Sequence, residues 1–96
     1  LRNLVALRLE DNRLSCLPNG LFHLVNLVEL NLGYNQIVSL PAEVGRLVNL
    51  EQLFLHENRL SRLPTQIGRL RKLKTLDITG NKLVWLPGSV GKLESL

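Results

Sequence analysis

Apolar residues return to the same phase of this chain every 23 positions. Leu1, Leu24, Leu47, Leu70 and Leu93 share one column, and Leu4, Leu27, Leu50, Leu73 and Leu96 share another. Asn12, Asn35, Asn58 and Asn81 form a third. Within each period, apolar and polar residues alternate around Leu7 and Leu9, Leu30 and Leu32, Leu53 and Leu55, and Leu76 and Ile78. That alternation predicts a short strand with leucines on one face and the intervening residues on the other. Strands separated by a constant interval and running the same way pair in parallel, so each period adds one rung to a single sheet.

The rest of each period predicts the return path. Pro18, Pro41, Pro64 and Pro87 each follow a leucine, and proline is tolerated at the first helical position. Gly45, Gly68 and Gly91 argue for a brief turn of helix or 3₁₀ instead of a long helix. Phe22 stands where the first repeat lacks that glycine and is expected to fill the convex layer. The asparagine column follows the strands. An amide with two donors and an acceptor is suited to satisfying backbone groups where the chain leaves the sheet, and repetition turns these amides into a ladder.

No residue is inserted or lost between periods, so the repeats run 1–23, 24–46, 47–69 and 70–92, with 93–96 opening a fifth. Residues 1–96 therefore read as one array without an internal linker. A single repeat buries too little aliphatic surface to offset the cost of ordering its backbone, and neighbours must share burial.

The unit Leu-x-x-Leu-x-x-Leu-x-Leu-x-x-Asn-x-Leu-x-x-Leu-Pro resembles the leucine-rich repeat family. The 23-residue spacing with Leu40-Pro41-Ala42-Glu43-Val44-Gly45-Arg46-Leu47 looks like its Ras-group class, found in cytosolic signalling scaffolds among others. The resemblance implies an α/β leucine-rich repeat solenoid, with a curved parallel β-sheet on the concave side and short helical or 3₁₀ turns and loops on the convex side. It also implies protein binding on the concave face, no enzymatic activity and no cofactor. The family's capping segments are missing, which suggests an uncapped, trimmed fragment; a designed or assembled array is the alternative. Uncovered leucine layers and open sheet edges would then favour end-to-end self-association.

Outward strand positions are freed from packing, and there a partner can be read. The first row carries Ala6, Arg8, Glu10 and Asp11; the second carries Glu29, Asn31, Gly33 and Tyr34. The third carries Gln52, Phe54, His56 and Glu57, and the fourth Thr75, Asp77, Thr79 and Gly80. Five of the eight acidic residues lie here against the single cation Arg8, leaving the wall at −4 although the whole chain is +4. Arg13, Arg59 and Lys82 share a flank column, and Arg46, Arg69 and Lys92 a column of the return path. The expectation is an acidic inner wall on a basic body, with Tyr34 and Phe54 as apolar anchors for a basic protein partner. A structural array that only spaces or assembles domains is the competing reading.

Other chemistry is weakly signalled. Gly88-Ser89-Val90-Gly91-Lys92 lacks the first glycine of a phosphate loop, because Leu86 stands there, and Leu93 replaces the required hydroxyl residue. His56, Asp77 and Thr79 lie on adjacent strands, but an open sheet wall gives a nucleophile and base little shelter. No histidine, cysteine or acidic cluster has metal-ligand spacing. Nucleic acid is disfavoured despite the excess of cations, which are not interleaved with aromatics. No apolar run approaches the roughly 20 residues needed to span a bilayer.

Cys16 is the only cysteine, and no asparagine begins an Asn-x-Ser/Thr acceptor. Both favour a reducing, cytoplasmic setting, with an extracellular one left open because caps and termini are missing. Cys16 is expected to be an inert loop thiol, and Trp85, in its column, a packing residue.

Overall fold

The computed structural model describes residues 3–83. Expectations for Leu1, Trp85, Pro87, Gly91, the 88–92 segment and the partial fifth repeat lie outside the described residues. Four strands form one parallel sheet in chain order: β1 Ala6–Arg8, β2 Glu29–Asn31, β3 Gln52–Phe54 and β4 Thr75–Asp77. Leu7, Leu30, Leu53 and Leu76 are successive register partners, so the 23-residue period in sequence is a one-rung translation in space. Rung-to-rung bonding continues past the strand ends. Leu9, Leu32 and Leu55 each donate their N–H across to the next rung, at 2.8 Å, to Asn31, Phe54 and Asp77 carbonyls respectively.

The return path is made of 3₁₀ turns at Asn19–His23, Ala42–Arg46 and Thr65–Arg69. Each proline stands one residue earlier than the first helical position. Pro18, Pro41 and Pro64 are extended, and their carbonyls accept the turn's first hydrogen bond from Leu21, Val44 and Ile67, each at 3.1 Å. A residue just outside the turn needs no N–H for it, so proline's missing donor costs nothing there. Phe22 is buried in this convex layer, as expected.

The core is aliphatic and graded along the axis. Leu27, Leu30, Leu32, Leu50, Leu53, Leu55, Leu60 and Leu73 are wholly removed from solvent. Leu4, Leu7, Leu9, Leu17 and Leu24, on the first-rung side, are only partly buried. Leu4, Leu7, Leu9, Leu21 and Leu24 line an apolar cleft of about 430 Å³ with Pro18 and Gly20.

The asparagines form the expected ladder. Asn58 Nδ2 donates to the carbonyls of Leu55 and His56 in its own rung and Leu32 in the preceding one, while Oδ1 accepts the Ile37 N–H at 3.0 Å. Asn35 repeats the pattern toward Leu9, Asn12 and Leu14, and Asn81 toward Leu55 and Leu60. Just before each ladder residue the chain turns through a left-handed conformation, at Asp11, Tyr34, Glu57 and Gly80, with φ of 61°, 55°, 56° and 70°. Only Gly80 adopts it without steric cost.

Candidate protein-binding surface

The sheet sorts the outward side chains into rows that cross the strands. Ala6, Glu29, Gln52 and Thr75 are register partners, as are Arg8, Asn31, Phe54 and Asp77. Glu10, Gly33, His56 and Thr79 come next, followed by the left-handed row. All twelve residues read from the sequence as partner-binding are therefore on one wall: Arg8, Glu10, Asp11, Glu29, Asn31, Tyr34, Gln52, Phe54, His56, Glu57, Thr75 and Asp77.

The wall's charges are less free than their count suggests. Arg8 Nε donates to Glu29 Oε2 at 2.9 Å, with a longer contact from its terminal nitrogen at 3.5 Å. That hydrogen bond, with the attraction between the charges, holds the Glu29 carboxyl below its usual range and raises the Arg8 guanidinium. The pair is solvent-exposed and adds little stability, but it cancels one carboxylate of the wall. Asp77 Oδ1 accepts the Thr79 N–H at 3.1 Å and the Thr79 hydroxyl at 2.8 Å. Asn31 closes the equivalent turn in its rung by accepting the Gly33 N–H at 3.0 Å. Glu57 lays its carboxylate against Gly80, in space that a β-carbon there would occupy.

The Thr79 N–H and hydroxyl, in that order, hold the Asp77 carboxyl below the ordinary carboxylate range. A depressed folded-state pKa gives stability that is present above the unfolded value and is lost as pH falls through the folded one. Asp77→Asn should therefore flatten the acid limb of the stability curve below about pH 4. Thermal melts between pH 2 and 5 check this; identical slopes for the two proteins would contradict it.

His56 joins the aromatic residues into a cluster. Its ring stands edge-on to Tyr34, with centroids 5.2 Å apart at 88°, and to Phe54, at 6.3 Å and 85°. The imidazole lies directly over Gly33, where a β-carbon would collide with it. Sequence reading picks out Tyr34 and Phe54 as anchors but not His56 as the ring between them. The signal is Gly33, whose missing side chain leaves room beside the His56 position in the same row.

On the far side, Ala42, Glu43, Arg46, Gln66 and Arg69 line a shallow depression of about 200 Å³ between successive 3₁₀ turns. Cys16 is exposed. Among the described residues no group of three or more histidines, cysteines or carboxylates could hold a metal ion, and no helix is long and apolar enough to cross a membrane.

The profile of the leucine rich repeat family matches residues 2–60 and 26–83. The chain belongs to the leucine-rich repeat family. A Leptospira interrogans leucine-rich repeat protein is 34% identical, with a TM-score of 0.72, over 94% of this chain and 29% of its own. The plant peptide hormone receptor RGFR1, solved in complex with RGF2, is 33% identical, with a TM-score of 0.90, over 100% of this chain and 16% of its own. The ectodomain of the Arabidopsis thaliana receptor kinase SOBIR1 is 28% identical, with a TM-score of 0.79, over 94% of this chain and 51% of its own. The chain thus spans about half or less of the length of each of these structures. No curated protein matches the sequence.

Proposed function

We propose that the chain is a protein-binding module whose concave wall receives an extended, cation-bearing segment of a partner. One observation carries this reading: the Tyr34–His56–Phe54 cluster lies on the outward face with the Asp77 carboxylate 3.8 Å from the His56 ring, in a wall that also carries Asp11 and Glu57. Tyr34 is 55% exposed and stands in a left-handed conformation that tyrosine adopts only at a cost. Exposed aromatics are the commonest strong anchors of interfaces, and the surrounding carboxylates steer and pair with Lys or Arg. RGFR1, which shares this fold, was solved with RGF2 bound, in keeping with recognition of a peptide. The proposed contact set is the twelve wall residues, with Arg8–Glu29 as a self-compensated rim. Catalysis has no part in this reading.

Selection of a random peptide library on the chain should enrich cation-containing peptides. Their affinity should fall at least tenfold in Tyr34→Asn and in Glu57→Lys and hold within about twofold in Glu43→Lys on the convex side. Asparagine tolerates the left-handed conformation, so Tyr34→Asn should leave stability within about 1 kcal/mol of the parent. Enriched peptides indifferent to the wall substitutions would sink the reading.

A second reading, an array that joins copies end to end, draws on the apolar cleft around Leu4, Leu7 and Leu24. Concentration-dependent association abolished by Leu7→Lys but not by Glu57→Lys would favour it. The receptor ectodomains among the neighbours support an extracellular setting, in place of the cytoplasmic one suggested by the lone cysteine.

A further inference from the structure

We propose that His56 makes the concave wall proton-sensitive, so that it holds a cationic segment while the imidazole is neutral and releases it once the ring is protonated. This rests on the reading of the wall as a receptor for cations. His56 Nδ1 is enclosed and has no hydrogen-bond partner. Asp77 Oδ2 lies 3.8 Å away, too far for a hydrogen bond but within reach of a small ring movement. Asp77 Oδ1 is already taken by the Thr79 N–H and hydroxyl, which fix the carboxylate and leave Oδ2 for the imidazole. Protonated on Nδ1, the imidazole can donate to that carboxylate oxygen and complete a contact that the enclosed nitrogen lacks.

The groups facing His56 come from its own rung and the two beside it. From β4 and its turn come the Asp77 carboxylate and the Thr79 hydroxyl. From the turn after β2 come Gly33, under the ring, and the Tyr34 phenol. Its own rung supplies Phe54 and the next residue in the chain, Glu57, whose carboxylate rests on Gly80. Arg8, the wall's cation, is on β1, two rungs away, and is matched by Glu29. Asp77 stays ionised throughout, because the Thr79 hydrogen bonds hold it below the usual carboxylate range.

Histidine is the side chain whose charge changes between about pH 5 and 8. Protonation has two consequences for a bound cation. The wall loses one unit of negative charge at its centre, and the ring is drawn toward Asp77 and away from the edges it shares with Tyr34 and Phe54. A new positive charge within a screening length of a bound Lys or Arg weakens binding about three- to tenfold.

The test measures the affinity of a fluorescein-labelled nona-arginine peptide at pH 7.5 and 5.5 for the parent chain, His56→Gln and His23→Gln. His23 is exposed at the end of the first convex turn and serves as the control. The expected Kd ratio between the two pH values is about three to ten for the parent and His23→Gln, and near one for His56→Gln. A pH-independent parent, or an unchanged ratio in His56→Gln, overturns the proposal while leaving the acidic wall in place. Absence of saturable binding at pH 7.5 removes the wall reading and the proposal with it. Imidazole ¹⁵N shifts of the parent give a readout free of any substitution in the cluster. Acidification should place a proton on Nδ1 with the signature of a hydrogen bond to carboxylate, lost in Asp77→Asn; an Nδ1 signal identical in both proteins overturns the switch.

Discussion

Replacing Asn58 with alanine is expected to lower the unfolding free energy by about 2 to 3 kcal/mol, whereas the same change at Asn12 costs less than about 1 kcal/mol. Asn58 is buried and makes four hydrogen bonds to backbone, two of them to the preceding rung. Its removal strands the Ile37 N–H beneath the sheet and leaves the Leu32 and Leu55 carbonyls with the Asn35 and Asn81 amides as their remaining side-chain partners. A buried backbone group left without a partner costs about 1 to 3 kcal/mol, and the loop can relax to recover only part of this. Asn12 is exposed, and its amide donates only to Leu9 and Glu10 in its own rung. Denaturant melts of the two variants check the contrast. Equal losses would mean that the ladder does not tie rungs together and that the column serves local turns alone.

Leu53→Ala is expected to cost about 3 to 5 kcal/mol, and Leu7→Ala, at the equivalent position of the first rung, about 1 to 2 kcal/mol. Leu53 is wholly buried with rungs on either side, so removing its side chain leaves a cavity that neighbours on both faces must shrink to fill. Leu7 already borders the open apolar cleft, so its truncation enlarges a space that water or a side-chain shift relieves. In a one-dimensional array the loss of a central rung uncouples the flanking ones, so Leu53→Ala should broaden the transition as well as lower its midpoint. A sharp, two-state melt with an unchanged denaturant slope would contradict that.

Much of this architecture is legible in the sequence because packing demands the same residue at the same phase. Inward leucines and ladder asparagines recur in every unit, so period alone assigns strand, turn and core. The placement of Pro18, Pro41 and Pro64 outside the 3₁₀ turns is less legible, since one residue separates two positions that both tolerate a missing N–H. The wall is legible as a location and not as a set of contacts. Its residues vary from rung to rung because core packing does not dictate them, so period says where they stand but not what they touch. The diagonal from Arg8 to Glu29, the Thr79 bonds to Asp77 and the seat of His56 over Gly33 depend on side-chain reach between neighbouring rungs. No column pattern encodes that reach. The sequence tally of wall charge already sets Arg8 against one carboxylate, and the structure shows which one: Glu29.

The unbroken phase of the rungs has a consequence for how such a protein changes over generations. Duplicating or deleting one whole unit restores every leucine contact and every amide bridge at the new junction, so copy number can drift without disturbing the fold. Each added copy widens the display by one strand spacing, about 4.8 Å, and brings fresh outward positions on which selection can act. An indel of any other length has to be absorbed in the loop of its own unit, where it alters that rung's packing and leaves the later rungs in register. Lineages carrying this unit are thereby channelled toward innovation by unequal crossing-over and by substitution at the wall, with the rungs inherited almost unaltered.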